Sequence, residues 1–250
     1  MIQALDHLTL AGSTSVYETL LGRRSVDGRL QTGNVGLTFG SGGAALSAMV
    51  FATADLDKAA SLLERRGVAT TRSKTLELST SASHGVPIAL VERSARPALS
   101  PALVDEAAAV SALDHVVVRS PNPERAIAFY AGRLGLDLRL DRSNAKWGSR
   151  LLFFRCDDLV VEIAHDLNKG VSDSPDQLWG LSWRVPDTAK AHARLAAAGL
   201  DVTDVRGGRR PGSHVFTVKN HTGSVPTLVI SGIGRWECRA LACEDVTKSS

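Results

Sequence analysis

Ala4-Leu5-Asp6-His7 and Ala112-Leu113-Asp114-His115 are the same four residues in the same order. Each copy opens an apolar run, Leu8-Thr9-Leu10 after the first and Val116-Val117-Val118 after the second. Short apolar, β-branched runs of this kind read as strands. Nearly half of the 250 residues separate the copies. A repeat this long points to duplication of a whole structural unit and outranks any local motif.

Working outward from the second copy, residues 115–119 read as a strand. Asn122-Pro123 supplies a helix N-cap with proline at the first helical position. Ala126, Phe129, Tyr130 and Leu134 then share one helical face, and Gly135 supplies a left-handed stop. Residues 136–140, 151–154 and 159–163 read as strands, the last two joined by a turn at Asp157-Asp158. The order β-α-β-β-β then repeats. Residues 181–185 form a strand, Asp187 caps a helix over 189–198, and strands follow at 200–205, 214–218 and 227–230. The first half follows the same plan. Its opening helix near 13–21 is short, and strands at 30–32 and 35–39 follow. Its second unit has a strand at 49–53, an Asp55-capped helix carrying Leu56, Ala59, Leu62 and Leu63, and strands at 76–78 and 88–91. The expected fold is α+β: four βαβββ units forming two tandem domains with cupped mixed sheets and helices outside. Expected boundaries are 1–93, a linker at 94–111 with one helical turn at 104–109, 112–233, and a tail at 234–250 in which Trp236 docks on the body.

The composition is that of an ordinary globular protein, 44% hydrophobic and 22% charged, and a net charge of +3 makes no basic stripe for nucleic acid. No apolar run approaches the roughly 18 residues of a membrane span. Residues 1–7 show no positive region followed by an apolar core, so no leader is expected. Cys156, Cys238 and Cys243 are an odd set outside any disulfide framework, which suits reduced thiols in the cytoplasm.

Four βαβββ units, an Asp-His pair opening a strand and helices capped by Asp or Asn-Pro resemble the vicinal oxygen chelate superfamily. That group includes glyoxalase I, bleomycin-resistance proteins and extradiol dioxygenases. The resemblance implies that paired units enclose a cup, with divalent-metal ligands on the first and last strands of each unit. In the second domain it places His115 and Glu162 at two such positions, and Gly180 and Thr227 at the other two. In the first domain it places His7, Thr38, Ala48 and Ile88. Two of four ligands remain in one cup and one of four in the other. The extradiol pattern of two histidines and a glutamate keeps only His115. No cofactor is therefore expected, and a divalent metal held by His115 and Glu162 is the weaker alternative.

The resemblance makes His115 and Glu162 neighbours in the cup, where a carboxylate beside an imidazole prepares a general base. A mutual hydrogen bond satisfying two buried groups is the structural alternative. His7 has no evident acidic partner and reads as structural. Strand alternation turns Gly180, Ser182 and Arg184 into the cup, as it does Val117 and Arg119 with His115. Gly180 would leave space there, and Arg184 would hold a carboxylate or enolate. Trp147 and Arg150 lie in the connection before the third unit's third strand, Trp179 at the mouth, and Trp183 should face the helices. The basic loop 206–212 reads as a solvated turn. The first domain, poor in polar cup residues, reads as a degenerate partner. The expected activity is isomerase or lyase chemistry beside a carbonyl of a small oxygenated metabolite, with His115 and Glu162 catalytic. Arg184, Ser182, Gly180, Thr227, Trp147, Arg150 and Arg119 would bind the substrate. The rival is a non-catalytic sequestering protein of the bleomycin-resistance type. Either way the partner is a small molecule, not nucleic acid or membrane, and the chain acts as a monomer or homodimer.

Overall fold

The computed structural model describes residues 1–40 and 44–232. Trp236, Cys238, Cys243 and the expected tail lie outside the described residues. The first half runs β1 (Ile2–Ala11), α1 (Thr14–Leu21), β2 (Leu30–Gln31), β3 (Gly36–Gly40), β4 (Leu46–Thr53), α2 (Leu56–Arg65), β5 (Thr70–Arg72), β6 (Leu76–Leu78) and β7 (Ile88–Glu92). The second half runs β8 (Ala112–Arg119), α3 (Pro123–Ile127), β9 (Asp137–Asn144), β10 (Ser149–Cys156), β11 (Leu159–Asp166), β12 (Gln177–Arg184), α4 (Thr188–Ala197), β13 (Arg206–Gly207), β14 (His214–Val218) and β15 (Thr227–Ser231). A wider π turn, Ala128–Arg133, continues α3, and a 3-10 turn, Ala145–Trp147, joins β9 to β10.

Two mixed sheets result, ordered β2-β3-β1-β4-β7-β6-β5 and β13-β14-β15-β12-β8-β11-β10-β9. In each, the opening strands of two units pair antiparallel at the centre, β1 with β4 and β8 with β12. Each opening strand also takes its own unit's last strand as a parallel neighbour. The tandem α+β architecture is the expected one, with a difference at two places. The first unit is one strand short, and residues 200–205 make only a single bridge, Val202 to Val218. The short opening helix forms because both ends are closed. Ser13 accepts from the Ser15 N–H, and Gly22 takes the left-handed conformation at φ 67°.

The repeated Leu-Asp-His is a β-bulge. Leu113 faces Trp183 and His115 faces Ser182, so Asp114 is the extra residue on β8. Asp6 is the extra residue on β1 in the same way. The other two opening strands repeat the device with different residues. Ser47 bulges between Leu46 and Ala48, and Trp179 bulges between Leu178 and Gly180. In every unit the leucine before the bulge points into the core, while the residue after it lines the concave face. Without the bulge, leucine and histidine two apart would share a face.

One apolar core runs through both halves, and polar clasps fix the seam. The Asn34 side chain both donates to the Leu113 carbonyl and accepts from its N–H, each at 2.8 Å. Tyr17 donates to the Thr222 carbonyl, and Arg194 to the carbonyls of Thr19 and Leu20. The 94–111 connection packs on buried Arg23, which donates to the Ser100 carbonyl and to Glu106. It includes one turn closed from the Ala109 N–H to the Asp105 carbonyl.

Candidate functional site

The concave face of the second sheet is assembled from alternate residues of four central strands. Register places His115, Val117 and Arg119 on β8 beside Val160, Glu162 and Ala164 on β11. Phe153 and Arg155 of β10 lie on the far side of Glu162 and Val160. Ser182 and Gly180 of β12 lie opposite His115 and Val117. The expected pair meets: Glu162 Oε2 is 3.5 Å from His115 Nε2.

A third member was not expected. Asp114 Oδ2 lies 2.9 Å from His115 Nδ1. Adjacent strand residues normally point to opposite faces, and the bulge brings these two together. Asp114 is only 1% exposed. Burial pushes its carboxyl up, but the hydrogen bond from His115 and the charges of His115, Arg210 and Arg184 outweigh it and hold the carboxyl below its ordinary value. An ionised Asp114 accepts only, so His115 Nδ1 carries hydrogen and donates. In the neutral imidazole the Nε2 lone pair then faces the cup. Asp6 Oδ2 holds His7 Nδ1 at 2.7 Å, so His7 also has the acidic partner that strand alternation conceals.

Ser182 stands in register with His115, is fully buried, and its Oγ has no hydrogen-bond partner among the described residues. Such an orphan donor beside an imidazole calls for an acceptor from outside the fold. Arg119 is exposed on the same wall, its guanidinium 4.0 Å from the centre of the Trp179 ring. The bulge turns Trp179 to the concave side, while Trp183, fully buried, faces the core as expected.

Several expected site residues do other work. Arg184 lies on the concave face, but its donors are spent on the Leu113 carbonyl at 2.8 Å and on the Asp158 carboxylate at 3.0 Å. It is a structural clamp. Arg150 lies on the opposite face, forked onto Asp141 and paired with Glu124. Thr227 pairs with core-facing Leu181 and donates to the Val225 carbonyl, so Leu228 takes the concave position. The first domain shows the same one-residue offset, with Ala89 in place of Ile88 beyond Met49. Gly180 leaves no room, since a Cβ there would meet the Pro226 carbonyl oxygen at 2.9 Å.

The basic loop is no solvated turn. Arg209 lies 4.3 Å over the Trp147 ring, and Arg210 reaches within 3.5 Å of Asp114 Oδ1. The loop hangs from β13–β14 at one edge of the sheet, and Trp147 from β9–β10 at the other. Their contact bridges the two edges and roofs the cup. Glycines and arginines on a strand connection gave only a weak signal of this.

The four ligand positions of this cup are thus His115, Glu162, Gly180 and Leu228. Two of these cannot ligate, and no three His, Cys, Asp or Glu side chains among the described residues converge as a metal site. This donor set does not fit a four-ligand metal. Cys156 is buried and its thiol is pushed up to about 12, chiefly by burial. No helix among the described residues is long and apolar enough to cross a membrane.

The Glyoxalase/Bleomycin resistance protein/Dioxygenase superfamily model matches residues 112–225. Over those residues the chain is similar to the vicinal oxygen chelate superfamily. Over the whole chain a similar tandem fold is seen in two solved structures. Catechol 2,3-dioxygenase has 18% identity and a TM-score of 0.69, covering 95% of this chain and 90% of its own. BphC, a halotolerant catechol dioxygenase, has 12% identity and a TM-score of 0.68, covering 93% and 87%. Methylmalonyl-CoA epimerase from Mycobacterium tuberculosis has 20% identity and a TM-score of 0.43, covering 50% of this chain and 90% of its own. No curated protein sequence matches the chain.

Proposed function

We propose that the C-terminal cup catalyses proton transfer next to a carbonyl of a small oxygenated metabolite, as an isomerase or lyase. The observation that carries this reading is the Asp114–His115–Glu162 line, with both ring nitrogens flanked by carboxylates. Asp114 fixes the tautomer that leaves Nε2 free to take a proton from carbon. The imidazolium so formed lies between the Asp114 and Glu162 carboxylates. Ser182 Oγ, in register beside it, donates to the oxygen on which charge develops. Arg119 holds a more distant carboxylate of the substrate. Arg184 supports the site from behind by its hold on Leu113 and Asp158. The roof formed by 206–212 must lift for entry. Lid motions of this kind are a common gate. The partner is a small molecule, and the chain works in the cytoplasm as a monomer or homodimer.

The second reading is sequestration without turnover, favoured by Gly180 against Pro226 and by Leu228 where polar ligands would stand. Wash-out of carbon-bound hydrogen in D2O, followed by proton NMR across a panel of small 2-oxo and 3-oxo acids, separates the two. Exchange that disappears in His115→Ala, with ligand binding kept within about tenfold, supports catalysis. Binding without exchange in the wild type, or exchange unchanged in His115→Ala, overturns it.

A further inference from the structure

The first domain has a polar recess of its own. A cavity of about 270 Å³ opens at the start of β1 and the end of β4, lined by Asp6, Arg29, Gln31, Arg93, Ser94 and Arg96. Three of these six side chains are guanidinium groups. The larger cavity, about 490 Å³ beside Arg184 and Asp158, holds its one arginine already neutralised by that aspartate. The smaller one is different. Arg29 and Arg93 are exposed, and their side chains make no hydrogen bond or ion pair with any described residue. Arg96 is steadied from one side by the Gly33 carbonyl at 2.8 Å and by Asp157 at 3.4 Å. Asp6, the one acid on the wall, already accepts from His7. Gln31 is 8% exposed and is anchored to the Thr32 carbonyl, which makes a rigid floor.

Two unpaired guanidiniums around one concavity repel each other unless an anion lies between them. Their planar forks match carboxylate and phosphate oxygens. We propose that this recess binds a small organic dianion, through a carboxylate or phosphate group shared by Arg29 and Arg93 and flanked by Arg96. Arg29 and Arg93, left over once Arg96 is set against Asp157, favour a dianion over a monoanion.

Isothermal titration of the full chain at low ionic strength tests this, with inorganic phosphate, malonate and acetate as probes. Saturable binding of phosphate or malonate, and weaker binding of acetate, is expected. The preferred dianion identifies the headgroup. Arg29→Gln with Arg93→Gln should weaken it about tenfold or more, whereas Arg139→Gln, an exposed arginine of the other sheet, should leave it unchanged. All three changed residues are surface groups, and thermal melts confirm that the variants fold. No saturable heat with either dianion, undiminished binding in the double variant, or equal loss in Arg139→Gln overturns the proposal.

Discussion

On β8 the bulged Asp114 is 1% exposed, has Arg210 and Arg184 within 4 Å, and holds His115 at 2.9 Å. On β1 the bulged Asp6 keeps 29% side-chain exposure, has no such arginine pair, and holds His7 at 2.7 Å. Beyond the imidazole, β11 supplies Glu162 in the second cup, whereas β3 supplies Thr38, hydrogen-bonded to Thr9, in the first. The backbone device that aims a histidine is therefore common to both halves. What differs is the surroundings of the carboxylate behind it and the group in front. Aiming an imidazole needs only a bulge; making it a base needs burial, countercharge and a second acid.

The sharpest way to break the contrast is at the imidazoles. His115→Ala should lower the hydrogen-exchange rate by about 10²- to 10⁴-fold, the range of a lost general base. His7→Ala should leave the rate unchanged. Equal losses would mean that both cups act, and that the difference in surroundings is irrelevant.

The next test is at the bulged acids. Asp114→Asn removes the buried carboxylate that His115, Arg184 and Arg210 share and should destabilise the fold by about 1–3 kcal/mol in urea unfolding. Asp6→Asn, at a partly exposed position, should lose under about 1 kcal/mol. Because the Asp114 carboxyl sits below its ordinary value in the folded chain, the unfolded chain binds more protons through that window and stability rises with pH. The contribution is full above the ordinary aspartate range near pH 4 and is lost as pH falls through the folded value. The gap between wild type and Asp114→Asn should shrink on acidification.

Much of this contrast could be read from residue order, and its limits have one cause. The Leu-Asp-His repeat and the caps at Asn122, Asp55 and Asp187 follow from period and spacing, and the meeting of His115 with Glu162 follows from the family resemblance. Strict two-residue alternation fails at each bulge. It hid the contacts of Asp6 and Asp114 with their histidines and would turn Trp179 inward with Trp183. The resemblance puts Thr227 and Ile88 at ligand positions that strand register gives to the next residues, Leu228 and Ala89. Arg184 lies on the expected face, yet sequence could not show that Asp158 and the Leu113 carbonyl would consume its donors. The roof over the cup depends on contacts between opposite sheet edges, which no local pattern encodes.

A smaller effect separates the empty ligand positions. Gly180 and Ala48 are equivalent, each following a bulge. A side chain at 180 drives Cβ to 2.9 Å from the Pro226 carbonyl oxygen and 3.4 Å from its Cβ. Gly180→His should therefore destabilise the chain by about 1–3 kcal/mol through overpacking. Ala48→His, at a partly exposed position that already has a Cβ, should stay within about 0.5 kcal/mol. Equal tolerance would mean that Pro226 yields, and that the second cup could regain a ligand.

The smallest effect lies in the bulged residues themselves. Trp179 occupies the place held by Ser47 in the first sheet, and only Trp179 carries a guanidinium over its face, that of Arg119. Both side chains reach solvent, so their coupling in a double-mutant cycle of Trp179→Ser and Arg119→Gln should be about 0.5–1 kcal/mol. The cycle reads the pair and not the bulge, because serine at position 47 shows that the bulge forms without an aromatic ring. The pair also holds Arg119 against the cup wall, where the substrate carboxylate would meet it. Trp179→Ser should therefore weaken ligand binding nearly as much as Arg119→Gln, with little further loss in the double variant. Additive losses would mean that the ring contacts the ligand independently and does not position the arginine.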